Sequence, residues 1–181
     1  MKTLRPVLIA ILLAFPALAH AHPETGFLPD AIAETEYRIV LEITPQDCAT
    51  RNKLGIVLYR KNKLAEAAQQ FGEVLKIAPR DFDAHDGLAL VRLKESNFRE
   101  AVSWARQAIT INGEDTLVYH TLGQALEQLG QLKEAEAAYR KGLEVNSRNL
   151  GKSANKGVET GKRDTLLAAL ANLRNKMKTK R

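Results

Sequence analysis

Chemistry-bearing side chains are scarce in this 181-residue sequence. Its only cysteine, Cys48, excludes an intramolecular disulfide framework and any multi-cysteine metal site. A small buried side chain is the ordinary reading of such a residue. His85 and His120 fall in different segments, each without a second ligand one helical turn away, which argues against a metal. The glycines between 151 and 161 are too widely spaced for a phosphate loop and follow no strand, and no serine lies in a nucleophile elbow. These absences point away from an enzyme, a metal site and a bound cofactor. What is abundant is ordinary: 45% apolar and 27% charged residues, enough for one domain with a real core.

The first residues differ in kind. MKTLRPVLIAILLAFPALAHAHPETG opens with Lys2 and Arg5, continues with an apolar run from Val7 to Ala19, and closes on Ala19-His20-Ala21. The run is shorter than the ~20 residues a spanning helix needs, so residues 1–21 read as a secretory signal peptide and the mature chain as periplasmic or secreted. Cleavage after Ala19 would leave His20-Ala21-His22 at a free amino terminus, an arrangement suited to Cu(II) or Ni(II). Cleavage after Ala21, the expected cut, removes it. The net charge of +6 belongs to the other end. Residues 151–181 hold nine basic against two acidic groups, whereas residues 22–150 hold sixteen basic and nineteen acidic.

Between these ends the chain repeats itself every 34 residues. Leu54-Gly55, Leu88-Ala89 and Leu122-Gly123 share that interval, as do Ala67, Ala101 and Ala135, and Asp47, Asp81 and Asp115. Each aspartate precedes an apolar-periodic segment, where its carboxylate can cap the first helical turn. Asn62, Ser96 and Gly130 interrupt the segments, ending one helix before the next begins. A second amphipathic segment carries a small residue with a bulky one a turn later, as in Ala67 with Phe71 and Ala135 with Tyr139, the pattern of two helices packed closely together. The result is an antiparallel helix pair per unit.

This pattern resembles the tetratricopeptide repeat, a helix-turn-helix unit of the same length. The matching residues are Leu54, Gly55, Leu58, Ala67, Phe71 and Pro79 in the first unit and Leu122, Gly123, Leu126, Ala135 and Tyr139 in the third. The expected fold is all-α, a right-handed superhelical solenoid with three full units at 47–81, 82–115 and 116–149 and a half-unit helical cap at each end. Residues 22–46 form the N-terminal cap, because Ala33, Tyr37 and Pro45 stand 34 residues before Ala67, Phe71 and Pro79. Residues 150–162 read as a Gly/Lys-rich linker, and 163–181 as a basic capping helix with a second-helix pattern. The middle unit departs most from the pattern: Arg92 replaces the leucine, Ala105 beside Trp104 replaces the aromatic, Gly113 replaces the proline, and Gly87 sits inside a helix. Such a glycine would let a partner's backbone come near.

The resemblance implies that first helices line a concave groove formed by Asn52, Ile56, Tyr59, Asp83, Asp86, Leu90, Leu93, His120, Gln124 and Glu127. The lining is half apolar with three carboxylates, a surface for an extended or helical protein segment with apolar anchors and a basic residue. Some family members grip a C-terminal carboxylate with lysine and asparagine; here Asp86 would repel it. The expected function is an exported interaction scaffold that holds a partner protein or peptide while an envelope complex is assembled. The alternative is a membrane-surface structural or self-associating protein acting through the basic C-terminal helix. Its stripe of Leu166, Leu170, Leu173 and Met177 is expected to pack on the preceding helix, with weak anionic-membrane contact as the other reading. Nucleic acid is not an expected partner outside the cytoplasm. Intact mass of the mature protein tests the leader: loss of residues 1–21 is the expected outcome.

Overall fold

The computed structural model describes residues 29–179; the signal-peptide reading falls outside the described residues. Among these residues are eight helices and no strand. They are α1 (Asp30–Ile43), α2 (Cys48–Arg60), α3 (Leu64–Ile77), α4 (Phe82–Lys94), α5 (Phe98–Ile111), α6 (Thr116–Gln128), α7 (Leu132–Lys152) and α8 (Lys156–Thr179). The hairpins α2–α3, α4–α5 and α6–α7 stack in chain order, and first helices also touch one another, α2 with α4 and α4 with α6.

Local chemistry sets the helix ends. Asp47 accepts from the Thr50 amide (3.1 Å), Asp81 from Ala84 (2.8 Å), and Asp115 from Leu117 and Val118 (2.7 and 3.2 Å), so each first helix begins on a carboxylate cap. Each of these helices closes on a left-handed residue: Asn62 at φ 62°, Ser96 at φ 63° and Gly130 at φ 76°. The Lys63 amide then donates to the Leu58 carbonyl at 2.9 Å, Asn97 to Arg92 at 2.8 Å and Gln131 to Leu126 at 2.9 Å. These bonds satisfy carbonyls that the helix ends would otherwise leave free.

What spaces the helices is an aromatic ring opposite a missing β-carbon. Phe71 of α3 is fully buried between α2 and α4, and a β-carbon at Gly55 would lie 2.6 Å from its ring. One at Gly87 would penetrate the same ring, and one at Gly123 that of Tyr139. Gly87 is therefore a packing residue, not an opening for a partner's backbone. In the middle unit Ala105 takes the aromatic's place, so Ala89 can carry the methyl that Gly55 and Gly123 lack; both alanines are fully buried. Trp104 supplies the missing volume and packs against both apolar clusters of the core. Ala67, Ala101 and Ala135 have no exposed surface. Cys48 is half-buried against the apolar cluster around Leu54, Leu58 and Phe71.

The two ends are built differently. At the N-terminal end, α1 packs on α2 as a second helix does, and its buried Glu34 accepts from Lys61 (2.6 Å), Lys63 (2.8 Å) and Arg38 (2.9 Å). The two lysines, with Arg38, hold that carboxyl down to about 2 against its burial. The stability this contributes is present above the ordinary carboxylate range and is lost as pH falls toward about 2. At the C-terminal end the linker expected at 150–162 is mostly helix. Ser147 stands where Pro79 and Gly113 stand, so α7 runs on to Lys152. After a three-residue break α8 starts at Lys156, with the Val158 amide donating to Asn155 Oδ1 (3.3 Å). Buried Asn146 donates to the Glu159 carbonyl (2.8 Å) and to its Oε2 (3.1 Å), fixing the new helix despite Gly157 and Gly161. Since α8 packs on both α7 and α6, it occupies the place of a first helix rather than the second-helix place its register suggested.

Two glycines of opposite surroundings test this packing. Gly72→Ala, with nothing within 4 Å of the new β-carbon, should stabilise the chain by about 0.5–1 kcal/mol. Gly87→Ala should destabilise it by about 1–3 kcal/mol because the Phe71 ring must move. Urea unfolding of both variants measures the pair.

Candidate docking groove

The row of first helices α2, α4 and α6 carries two cavities. One, of about 540 Å³, opens between α1, α2 and α4 and is lined by Asn52, Ile56, Asp83 and Asp86 of the expected groove residues. Ala33 and Tyr37 of α1 and Ala49, Lys53, Val57 and Arg60 of α2 complete it. The second, of about 520 Å³, holds Leu93, Gln124 and Glu127, together with Ala169 and Asn172 of α8. Tyr59, Leu90 and His120 line neither cavity. Tyr59 presents its ring to Lys94 Nζ, 4.6 Å from the centroid, His120 leans on Tyr139 with centroids 5.9 Å apart, and Leu90 is half-buried on α4. The α1 wall of Ala33 and Tyr37 lies outside the expected set of first-helix residues. The signal was present in the register, which sets Ala33 and Tyr37 equivalent to Ala67 and Phe71 and so faces them toward the first helices.

The first cavity carries both signs of charge, Lys53 and Arg60 on α2 facing Asp83 and Asp86 on α4, and no cation of the described residues is paired with Asp86. Asn52, 6% exposed, donates from Nδ2 to Asp81 Oδ1 at 2.9 Å, while its Oδ1 is shielded from water and has no partner. Asp86 is half-buried, its Oδ1 is likewise shielded and unpartnered, and among the described residues it joins no ion pair. Burial, then the neighbouring Asp115 and Asp83 carboxylates, push its carboxyl up to about 7. Burial followed by Asp81 and Asp115 also raises Asp83. Burial first and Asp86 second raise the Tyr59 hydroxyl. On the α2 wall, Arg60 is committed to Asp30, with Nε donating to Oδ1 at 3.0 Å.

The second cavity is already occupied by internal bonds. Glu127 accepts from Tyr139 (3.3 Å) and from Lys176 of α8 (3.1 Å), so its carboxylate is neutralised from within the chain. Arg174 reaches Glu136 at 3.4 Å. Leu166, Leu170 and Leu173 are buried against the preceding helices, which uses up the apolar face of α8. No helix of the described residues is long and apolar enough to cross a membrane. The two helical histidines stay apart: His85 Nδ1 lies 2.8 Å from the Asp81 carbonyl with its ring 5.5 Å from Trp104, whereas His120 sits on Tyr139.

Comparison with known proteins agrees with this architecture. Tetratricopeptide repeat family signatures match residues 52–116 and 117–149. No curated protein matches the chain. Among solved structures it is similar to the type III secretion translocator chaperone SycD of Yersinia enterocolitica, at 18% identity and a TM-score of 0.63. That match covers 72% of this chain and 93% of SycD. MamA of Desulfovibrio magneticus gives 18% identity, a TM-score of 0.59 and coverage of 83% and 86%. The second tetratricopeptide domain of human RPAP3, solved in complex with an HSP70 peptide, gives 18%, 0.56, and 68% and 92%. At these identities the likeness is one of fold.

The raised Asp86 carboxyl has a measurable consequence. It binds its proton more tightly folded than unfolded, so its presence costs nothing below about pH 4, and the cost grows until pH passes about 7. Asp86→Asn should therefore stabilise the chain by about 1–3 kcal/mol at pH 8 and by nothing measurable at pH 4. Thermal melts at the two pH values read the difference.

Proposed function

Because this chain belongs to the tetratricopeptide-repeat family, we propose that it is an exported interaction scaffold that docks a segment of a partner protein against α1, α2 and α4. The observation that carries this reading is the first cavity, which joins apolar walls from two helices to a carboxylate that forms no ion pair among the described residues. A pocket of this kind, largely apolar with a few convergent polar groups, is the usual form of a recognition site. Two of the similar structures support this reading, one being a translocator chaperone and another a domain solved with a peptide. The C-terminal half of the groove contributes less, since α8 lies over it and Lys176 has taken Glu127. The basic, apolar and small-residue layout of residues 1–21 supports a leader, and with it a periplasmic or secreted location. Assembly of an envelope complex is the setting such a scaffold suits.

A crosslinking pull-down from the cell envelope separates groove from tail. Ile56→Glu puts a charge on the cavity wall and should abolish partner capture. The double variant Arg163→Glu with Lys178→Glu alters exposed tail charges without touching the core and should leave capture unchanged. Capture that survives the first variant and is lost in the second would transfer the function to α8.

A further inference from the structure

We propose that the cavity between α1, α2 and α4 receives the cationic end of a lysine or arginine side chain from the partner. A small shift of the lining on docking opens Asn52 Oδ1 and the Asp86 carboxylate to it, and its aliphatic stem lies against Ile56 and Val57. This inference rests on the docking reading above and names the partner's chemistry at that site.

Two buried acceptors lead to it. Asn52 is tied by its amide nitrogen to Asp81, the residue that caps α4, so the planar amide cannot turn to relieve its oxygen. That oxygen is shielded from solvent and lacks a donor, as is Oδ1 of Asp86. Native chains leave few buried polar atoms without partners, and those they keep call for a reason. Each of these two residues lines the same cavity, and each lacks the same thing, a donor.

The surrounding charges say which donor. Asp83 from the same helix and Asp115 from the start of α6 set negative potential around Asp86, and Tyr59 on α2 feels it. The cations of the wall do not answer it: Arg60 is bound to Asp30, and Lys53 is exposed and joins no ion pair with Asp86. A neutral donor would leave that field uncompensated, and an anion, including a chain's terminal carboxylate, would be repelled. A lysine or arginine fits both halves of the cavity, having an apolar stem for the walls of Ala33, Ile56 and Val57 and a charged head for the acceptors. The site also explains why a carboxylate that weakens the folded chain persists there: an arriving cation offsets what Asp86 costs when empty. Only ionised Asp86 pairs with a cation, so capture tightens as pH rises through about 7.

A random dodecapeptide phage library, panned at pH 8 on the immobilised full chain, tests the proposal. Enriched peptides should share a lysine or arginine flanked by apolar residues. A synthetic copy should bind Asp86→Asn about tenfold or more weakly than the wild type, with circular dichroism confirming that the variant is folded. Replacing its basic residue by norleucine should weaken wild-type binding by a similar factor and weaken Asp86→Asn binding no further. Peptides that lose binding to Ile56→Glu, yet lack a shared basic residue or bind Asp86→Asn as well as wild type, would overturn the cation site and leave the docking reading standing. No enrichment, or enrichment indifferent to Ile56→Glu, would remove the docking reading and the cation site with it.

Discussion

A first helix lies close against a second helix where one of them gives up a β-carbon to the other's ring, or where both present only a methyl. Phe71 wedged between Gly55 and Gly87, and Tyr139 over Gly123, fix the separation of the hairpins. The middle unit exchanges the glycine–ring pair for two fully buried alanines and moves the aromatic volume next door to Trp104. Interiors packed to this density are not continuously deformable, so each hairpin seats on the next in the same order of contacts. The groove is what that regularity leaves on the side of the first helices.

Capping gives the groove its sign. A helix start wants a short carboxylate, and the repeat supplies one at the same end of every first helix, as Asp81 and Asp115 show. Asp83 and Asp86 then lie in a neighbourhood that is already acidic, and burial compounds the effect at Asp86. The opposite end of the stack is neutralised by α8, whose Lys176 and Arg174 reach Glu127 and Glu136. One mechanism thus concentrates unpaired negative charge in the N-terminal half of the groove and another removes it from the C-terminal half.

Much of the architecture could be read from spacing alone. The 34-residue interval predicted the hairpins, the aspartate caps and the breaks at Asn62, Ser96 and Gly130, because each depends on neighbours within one turn of the chain. Elsewhere the local signal pointed the wrong way. The glycines of 150–162 suggested a loop, but the Asn146–Glu159 bonds and the burial of Leu166 outweigh a propensity cost of about 1 kcal/mol per glycine. Gly87 looked like room for a partner until the Phe71 ring was found in it. Groove membership was legible in part: Asn52, Ile56, Asp83 and Asp86 meet in one cavity, whereas Glu127 meets its counter-ion in a helix 49 residues further along the chain.

The sequence by itself determined the repeat, the helix ends and the residue types that face inward, since caps, turns and apolar periodicity act between residues a few positions apart. Only the tertiary structure decided where α8 docks, which carboxylates keep a partner and which stay unpaired, and that α1 walls one end of the groove. Those outcomes depend on distances between side chains from different helices, and no spacing along the chain encodes how far apart two stacked helices bring their charges.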